Sequence, residues 1–437
     1  LHAGGPAADE VDRLNRIVPW FTHDALVHYL SPRGLEQFSG GGWGTRDVCQ
    51  GPVGLLTAYA RPDAQRDLLL RVFAAQHQRG DWPQAFEFLP PLSSGQPDAH
   101  GDVLFWPLLA LGEYLQHEGD ASLLRESAGF VGDRGTVTAA PIVDHIERAL
   151  RVIETRTVPG SPLPSYGHGD WNDSLQPADP RLAAQMASTW TAVLQVQALR
   201  ALVEGLAVCA AEPALEKRLA ALAEATERAL TDVLLVDGLL AGYGVFEKSG
   251  RLAEVLVHPR DRRTGLRYGV LPWIHAISAE LLDAEQARHH LAVLDRHLSG
   301  PDGVRLFDAP PPYRGGPMEV FQRAEAATFW GREIGLMYTH AHLRYAEALA
   351  RVGDASGLFK ALCLVNPIGA TERVPGAQPR QTTCYYSSSD AAFADRDDAA
   401  EHYQRSLTGE VALQGGWRVY SSGPGLFLRL LAECLLG

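Results

Sequence analysis

The chain has 437 residues, enough for two or three average domains or one large single-core fold, and no composition shift marks a linker, so one domain over 1–437 is expected. Lys plus Arg number 39 against 52 Asp plus Glu, a formal charge of −13, which argues against nucleic acid or an anionic membrane as partner and suits a neutral substrate. Cys49, Cys209, Cys363, Cys384 and Cys434 show no CxxC spacing, which suggests neither a disulfide framework nor a zinc site; with no leader pattern in 1–25 and no apolar run of roughly 18 to 20 residues, a cytoplasmic protein is expected.

Taken in chain order, apolar residues recur at helical spacing over 10–30, 48–61, 63–78, 103–118, 141–156, 182–209, 213–235, 270–282, 284–298, 330–352, 355–364 and 424–436. In 63–78 the stripe is Leu68, Leu69, Val72 and Phe73; in 182–209 it is Val196, Leu199, Leu202 and Leu206. Between them lie long loops rich in Gly, Pro and aromatics, at 31–47, 80–102, 158–180, 256–268, 301–325 and 365–422, and loops of that length in a compact domain are usually functional. Helical hairpins with long loops predict an all-α (α/α)6 toroid whose long loops gather at one mouth, with a few short strands between 382 and 420. The segments 43–50, 166–174 and 417–423 are expected to share that mouth.

The densest chemistry is Ser165-Tyr-Gly-His-Gly-Asp-Trp-Asn-Asp-Ser-Leu175. Trp171 offers a flat apolar face to a pyranose ring, Asn172 and one Asp can bond hydroxyls, and the second Asp can protonate a leaving glycosidic oxygen. An ordinary Asx-turn loop has the same composition. Other loops also pair aromatics with bonding groups: Arg46, Asp47 and Gln50 beside Trp43; Trp82 beside Asp81; Asp102 beside His100 and Trp106; Glu333 beside Tyr338 and His340. Trp106 reads more readily as helix core, His275 and His342 as satisfied core or surface histidines, and Arg418 equally as a surface group or an anion donor.

In sequence order, Gly44-Thr-Arg-Asp-Val-Cys-Gln50, Gln78-Arg-Gly-Asp-Trp82, His100-Gly-Asp-Val-Leu-Phe-Trp106, Gly167-His-Gly-Asp-Trp-Asn-Asp173, Tyr338-Thr-His340 and Gly415-Gly-Trp417 followed by Tyr420-Ser-Ser-Gly423 resemble the catalytic domain of family 94 glycoside phosphorylases over nearly the whole chain. Ser31-Pro-Arg33 and Cys384-Tyr-Tyr-Ser-Ser-Ser-Asp390 are most similar to the branch of 1,2-β-oligoglucan phosphorylases. The resemblance implies the same toroid and an inverting phosphorolysis of a neutral β-glucooligosaccharide that yields α-glucose 1-phosphate, with inorganic phosphate as co-substrate and no cofactor or metal. It makes Asp173 the general acid. It assigns Arg33, Arg46, Asp47, Gln50, Trp82, Asp102, Asp170, Trp171, Asn172 and Glu333 to sugar binding, and His340, Ser421, Ser422 and Gly423 to phosphate. Relatives such as cellobiose phosphorylase carry a second Asp where this chain has Gly51, and the family's N-terminal β-sandwich is absent; a homodimer or association with such a region is left open.

The chemistry bears on this separately. An inverting hydrolase needs a second carboxylate to activate water, whereas phosphate is already an anion and needs positioning. The sequence offers one clear acid, and His340, Ser421, Ser422 and the N–H groups around Gly423 as an anion nest. A β-1,2-glucan hydrolase using Glu325, Glu333 or Asp390 as base, or a non-catalytic glucan-binding fragment, are the alternatives. Phosphate is expected to bind best with His340 protonated.

Overall fold

A computed structural model describes residues 1, 4–31, 42–87, 99–132, 135–172, 175–310, 319–322, 337–418 and 421–437. Its helices are α1 (Ala8–Leu30), α2 (Thr45–Val48), α3 (Gly51–Ala58), α4 (Pro62–Ala74), α5 (Trp106–Glu118), α6 (Ile142–Thr155), α7 (Pro180–Gln185), α8 (Thr189–Val208), α9 (Pro213–Leu234), α10 (Val270–Ser278), α11 (Ala284–His297), α12 (Thr339–Arg351), α13 (Ala355–Val365) and α14 (Ser422–Leu430), with shorter turns between them.

Burial sorts the long helices into two rings. Eight of nine residues are buried in both α10 and α14, against three of fourteen in α11 and six of twenty-two in α9. A helix apolar all round must be enclosed, while one with a single apolar stripe lies outside with its polar face in water. The inner ring runs α3, α5, α8, α10, α12, α14: α5 packs on α8, α8 on α10, α10 on α12, α12 on α14, and α14 returns to α3, with α2 at the head of α3 against α5. Outside, α4 lies against α3 and α5, α9 against α8, α11 against α10, α13 against α12, and α1 against both α14 and α3. This is the (α/α)6 toroid, closed by its first and last hairpins.

Closure requires two backbones to touch. A Cβ on Gly51 would lie 2.5 Å from Ser422 Cα, and one on Gly425 would strike the carbonyl of Gly51, so the α3–α14 seam admits only glycine at both positions.

The pattern reading missed some elements. The stripe at 182–209 is broken by the strand Met186–Ser188, which pairs with Tyr243–Phe246, itself paired with Leu252–Leu256. The hairpin Ser127–Gly132 with Gly135–Pro141 was also unforeseen. The expected strands near 382–420 are Ser388–Ala391 and Leu413–Gly415, joined to Met337–Tyr338, although small helices interrupt them at Arg396–His402 and Arg405–Thr408. Contrary to expectation, α8 is apolar and long enough to cross a membrane by length and composition; it is the core helix of the inner ring, with fourteen of twenty residues buried.

Candidate active site

One wall is built on Arg46. Thr45 N–H donates to the Gln84 carbonyl at 3.0 Å, anchoring the short helix α2 so that Arg46 points inward, almost fully buried. Its Nη1 reaches Asp102 Oδ1 at 3.3 Å and Oδ2 at 3.4 Å, and the carbonyl of Asp170 at 3.1 Å. Trp106 Nε1 donates to Asp102 Oδ2 at 3.0 Å. A charge buried this deeply persists only when paired, so one guanidinium ties together loops over a hundred positions apart in sequence, the Asp170 contact spanning 124.

The second wall is the loop that carries Asp170, Trp171 and Asn172. Gly167 and Gly169 have φ of 62° and 126°, conformations that side chains resist, and they let Gly167 N–H reach Ala183 O while Gly101 N–H reaches Gly169 O, both at 2.8 Å. Asp170 is 1% exposed and accepts from Ser188 Oγ at 2.7 Å and from Asn172 N–H at 2.9 Å. Burial, with a lesser push from Asp102, raises its pKa to about 6. Trp171 stands edge-on to Tyr338, ring centroids 5.0 Å apart, and 5.9 Å from His340.

The third wall is suited to an anion. His340, in the first turn of α12, has Nε2 at 3.0 Å from Gln50 Oε1, and Arg344 Nη2 donates to that same oxygen at 2.9 Å. Burial, helped by the guanidiniums of Arg344 and Arg46, pushes His340 down to about 3, so the ring is neutral at working pH and the expectation of a protonated His340 is corrected. Arg344 also bonds Glu347 at 2.8 Å; burial opposes that carboxylate's charge, but Arg344 and Arg429 hold it down at about 2. On the other side of Gln50 and Gly51 lies the N-terminus of α14. Ser421 is its N-cap, with no hydrogen bond from its side chain to the helix, while Ser422 Oγ donates to Asp47 Oδ1 at 3.1 Å and contacts its carbonyl at 3.3 Å. Tyr385 braces this end: its hydroxyl occupies the space a Cβ on Gly423 would need, and its N–H donates to buried Asp24 at 3.1 Å.

The structure thus brings together Arg46, Asp47, Gln50, Asp102, Asp170, Trp171, Asn172, His340, Ser421, Ser422 and Gly423. Trp82 is corrected: it is 1% exposed, packs edge-on against Phe73 and donates Nε1 to Val72 O at 2.8 Å, leaving no face for a sugar. Arg33, Asp173 and Glu333 lie outside the described residues, as does Glu325. Asp390 is buried on its strand, near the charges of Arg380, Asp302 and Arg305, and burial raises it to about 6. Trp106 and His342 are core, the latter bonding Ala361 O at 3.0 Å through Nε2, and His275 lies tilted against Trp190, ring centroids 4.1 Å apart. Arg418 bonds Gln381 at 2.5 Å on the surface. The sequence reading overlooked Ser188, Tyr385, Arg344 and Glu347. The last two carried a signal, since 340, 344 and 347 share one face of a helix.

The chain belongs to the glycosyl hydrolase 94 superfamily, catalytic domain, whose family model matches residues 9–414. It is 42% identical over 431 residues to the 1,2-beta-oligoglucan phosphorylase of Listeria innocua, an alignment covering 98% of this chain and 39% of that one. It is 25% identical over 315 residues to the cellobionic acid phosphorylase of Neurospora crassa, covering 71% of this chain and 37% of the relative. The chain therefore spans about two fifths of the length of these relatives. Among solved structures it resembles a glycosidase (TM-score 0.61, 14% identity, 97% of this chain and 98% of that one) and a bacterial glucoamylase bound to acarbose (TM-score 0.54, 9% identity, 90% and 49%). At such identities these two likenesses speak for the fold alone.

Proposed function

We propose that this chain carries out inverting phosphorolysis of β-1,2-linked glucooligosaccharides, releasing α-glucose 1-phosphate in a reversible reaction. The observation that carries the reading is that an anion-suited wall, His340 and the N-terminus of α14, meets the Trp171 loop across Gln50 and Gly51. The likeness to the Listeria protein supports the substrate. In this reading Trp171 and Arg46 hold the sugar at the cleaved position, Asp173 protonates the leaving oxygen, and phosphate attacks the opposite face of the anomeric carbon, held by His340, the Ser421 hydroxyl and the first N–H groups of α14. Asp170 and Ser422, whose polar atoms are bonded within the protein, brace the two loops. The closure of the ring by α14 on α3 supports treating 1–437 as one catalytic domain.

The test is incubation with β-1,2-glucooligosaccharides with and without phosphate, following glucose 1-phosphate and its anomeric configuration by NMR. Phosphate-dependent α-glucose 1-phosphate is expected, and Asp173→Asn should cut turnover about 10²- to 10⁴-fold. Cleavage that ignores phosphate would make the protein a hydrolase, and binding without turnover would make it a glucan-binding module.

A further inference from the structure

The two halves of the anion wall stand on different helices, His340 on α12 and Ser421 with Ser422 at the start of α14, so their spacing has to be held by something else. Arg344, buried and one turn beyond His340 on α12, is placed to hold it. Its Nη1 donates to Glu347 at 2.8 Å and its guanidinium carbon lies 5.8 Å from the centre of the Trp106 ring, while Nη2 donates to Gln50 Oε1 at 2.9 Å. That oxygen is also 3.0 Å from His340 Nε2, and Gln50 Nε2 donates to the Arg46 carbonyl at 3.1 Å. A guanidinium can only donate and a carbonyl can only accept, so the Gln50 amide is held in one orientation from both ends, and its oxygen receives the N–H of His340 Nε2. The next residue, Gly51, touches Ser422, where an added Cβ would come within 2.5 Å of Cα. One line of contacts therefore runs from Arg344 through Gln50 to both His340 and the α3–α14 seam.

The last torsion of a histidine is broad, so an imidazole left to itself turns, and a ring that turns presents different atoms to its surroundings. An acceptor opposite Nε2 removes that freedom, and a guanidinium on the same oxygen polarises the amide and strengthens the bond. On the reading that phosphate binds between His340 and α14, we propose that Arg344 is a positioning residue: it acts through the Gln50 amide, fixing the ring of His340 and its distance from the start of α14, and touches neither phosphate nor sugar itself. Gln50 thereby takes a different part from the sugar contact expected of it. Both lone pairs of its oxygen and one of its amide hydrogens are committed inside the protein, so the amide serves the anion wall.

Steady-state kinetics separate a positioning residue from a ligand or a packing group. Arg344→Met is made together with Glu347→Gln, so that no buried carboxylate loses its partner, with Glu347→Gln alone as the reference, and Gln50→Met is made with and without that pair. Arg344→Met and Gln50→Met should each raise the phosphate KM on the order of tenfold and leave the glucan KM within about twofold. The combination should do no more than Gln50→Met alone, because Arg344 acts only through that amide. Melting curves confirm that the variants are folded. An unchanged phosphate KM in folded variants, equal rises in both KM values, or effects that multiply in the combination overturn the inference while phosphorolysis stands: they would make Arg344 a packing group, a general support of the cleft, or a phosphate ligand in its own right. Where the variants fail to fold, 15N spectra of the wild-type protein labelled at histidine decide, with the His340 signals identified by their loss in His340→Gln; a proton on Nε2 is expected, and an Nε2 without one overturns the inference. Glucan cleavage by the wild-type protein that ignores phosphate rejects phosphorolysis itself, and the inference with it.

Discussion

Asp170→Asn gives the sharpest test of the electrostatics around the Trp171 loop. The carboxyl is 1% exposed and its pKa rises from 3.8 to about 6, mainly because burial disfavours the charge. A folded-state pKa above the unfolded one means that the protonated form stabilises the fold. The contribution is therefore complete below about pH 4 and lost as pH rises through about 6, after which the ionised group costs about 3 kcal/mol. Asn keeps the acceptor for Asn172 N–H and presents an amide to Ser188 Oγ, whose hydroxyl can turn to accept it. The variant should match or fall slightly below wild type in acid and exceed it in mildly alkaline buffer. For a chain of 437 residues unfolding with roughly 2 cal/mol/K of entropy per residue, 3 kcal/mol is about 3 °C of Tm. Thermal melts of both proteins from about pH 4.5 to 8.5 measure it. A Tm difference that is flat with pH, or that favours wild type increasingly as pH rises, would refute the claim that Asp170 is a carboxylate held against its own solvation.

Arg46→Gln should destabilise by about 3–5 kcal/mol because it strands the Asp102 charge in the interior, and adding Asp102→Asn should restore most of the stability but not the activity; a double mutant as unstable as the single would show that the loss does not come from an unpaired Asp102. Trp82→Ala should lower stability by about 3–5 kcal/mol while leaving the glucan KM of the folded enzyme nearly unchanged, and a selective rise in that KM would return Trp82 to the binding surface. Gly51→Ala should cost about 1–3 kcal/mol by forcing α3 from α14, and should raise the phosphate KM more than the glucan KM; equal effects on both would mean that the α14 N-terminus does not hold phosphate.

Much of the toroid was legible because its helices carry unbroken periodicity. The inner and outer rings were not told apart beforehand, although α10 reads apolar on every face and α11 on one. The strand at Met186–Ser188 escaped because a short apolar run at helical spacing has no period of its own, and tertiary pairing with Tyr243–Phe246 decides its conformation. Motif and structure meet at Arg46 and His340, which come from separate motifs and both bond Gln50. They parted at Trp82, since an indole beside an Asp in a loop looks the same whether its ring meets a sugar or Phe73. The protonation of His340 was misjudged for a related reason: it depends on Arg344 and Arg46 arriving beside a buried ring, which no local pattern records.

The bond from Ser422 to Asp47 joins residues 375 positions apart, across the seam where the ring shuts. The proposed anion site is therefore a clasp as well as a pocket: it exists only after the final helix has found the first hairpin, a contact that closes a very long loop. Any oxyanion that binds there recognises the closed ring and not the open one, so it should also act as a ligand for folding, drawing the last step of assembly forward by mass action. On the proposed reading that oxyanion is phosphate, and phosphate would then hold the ring shut.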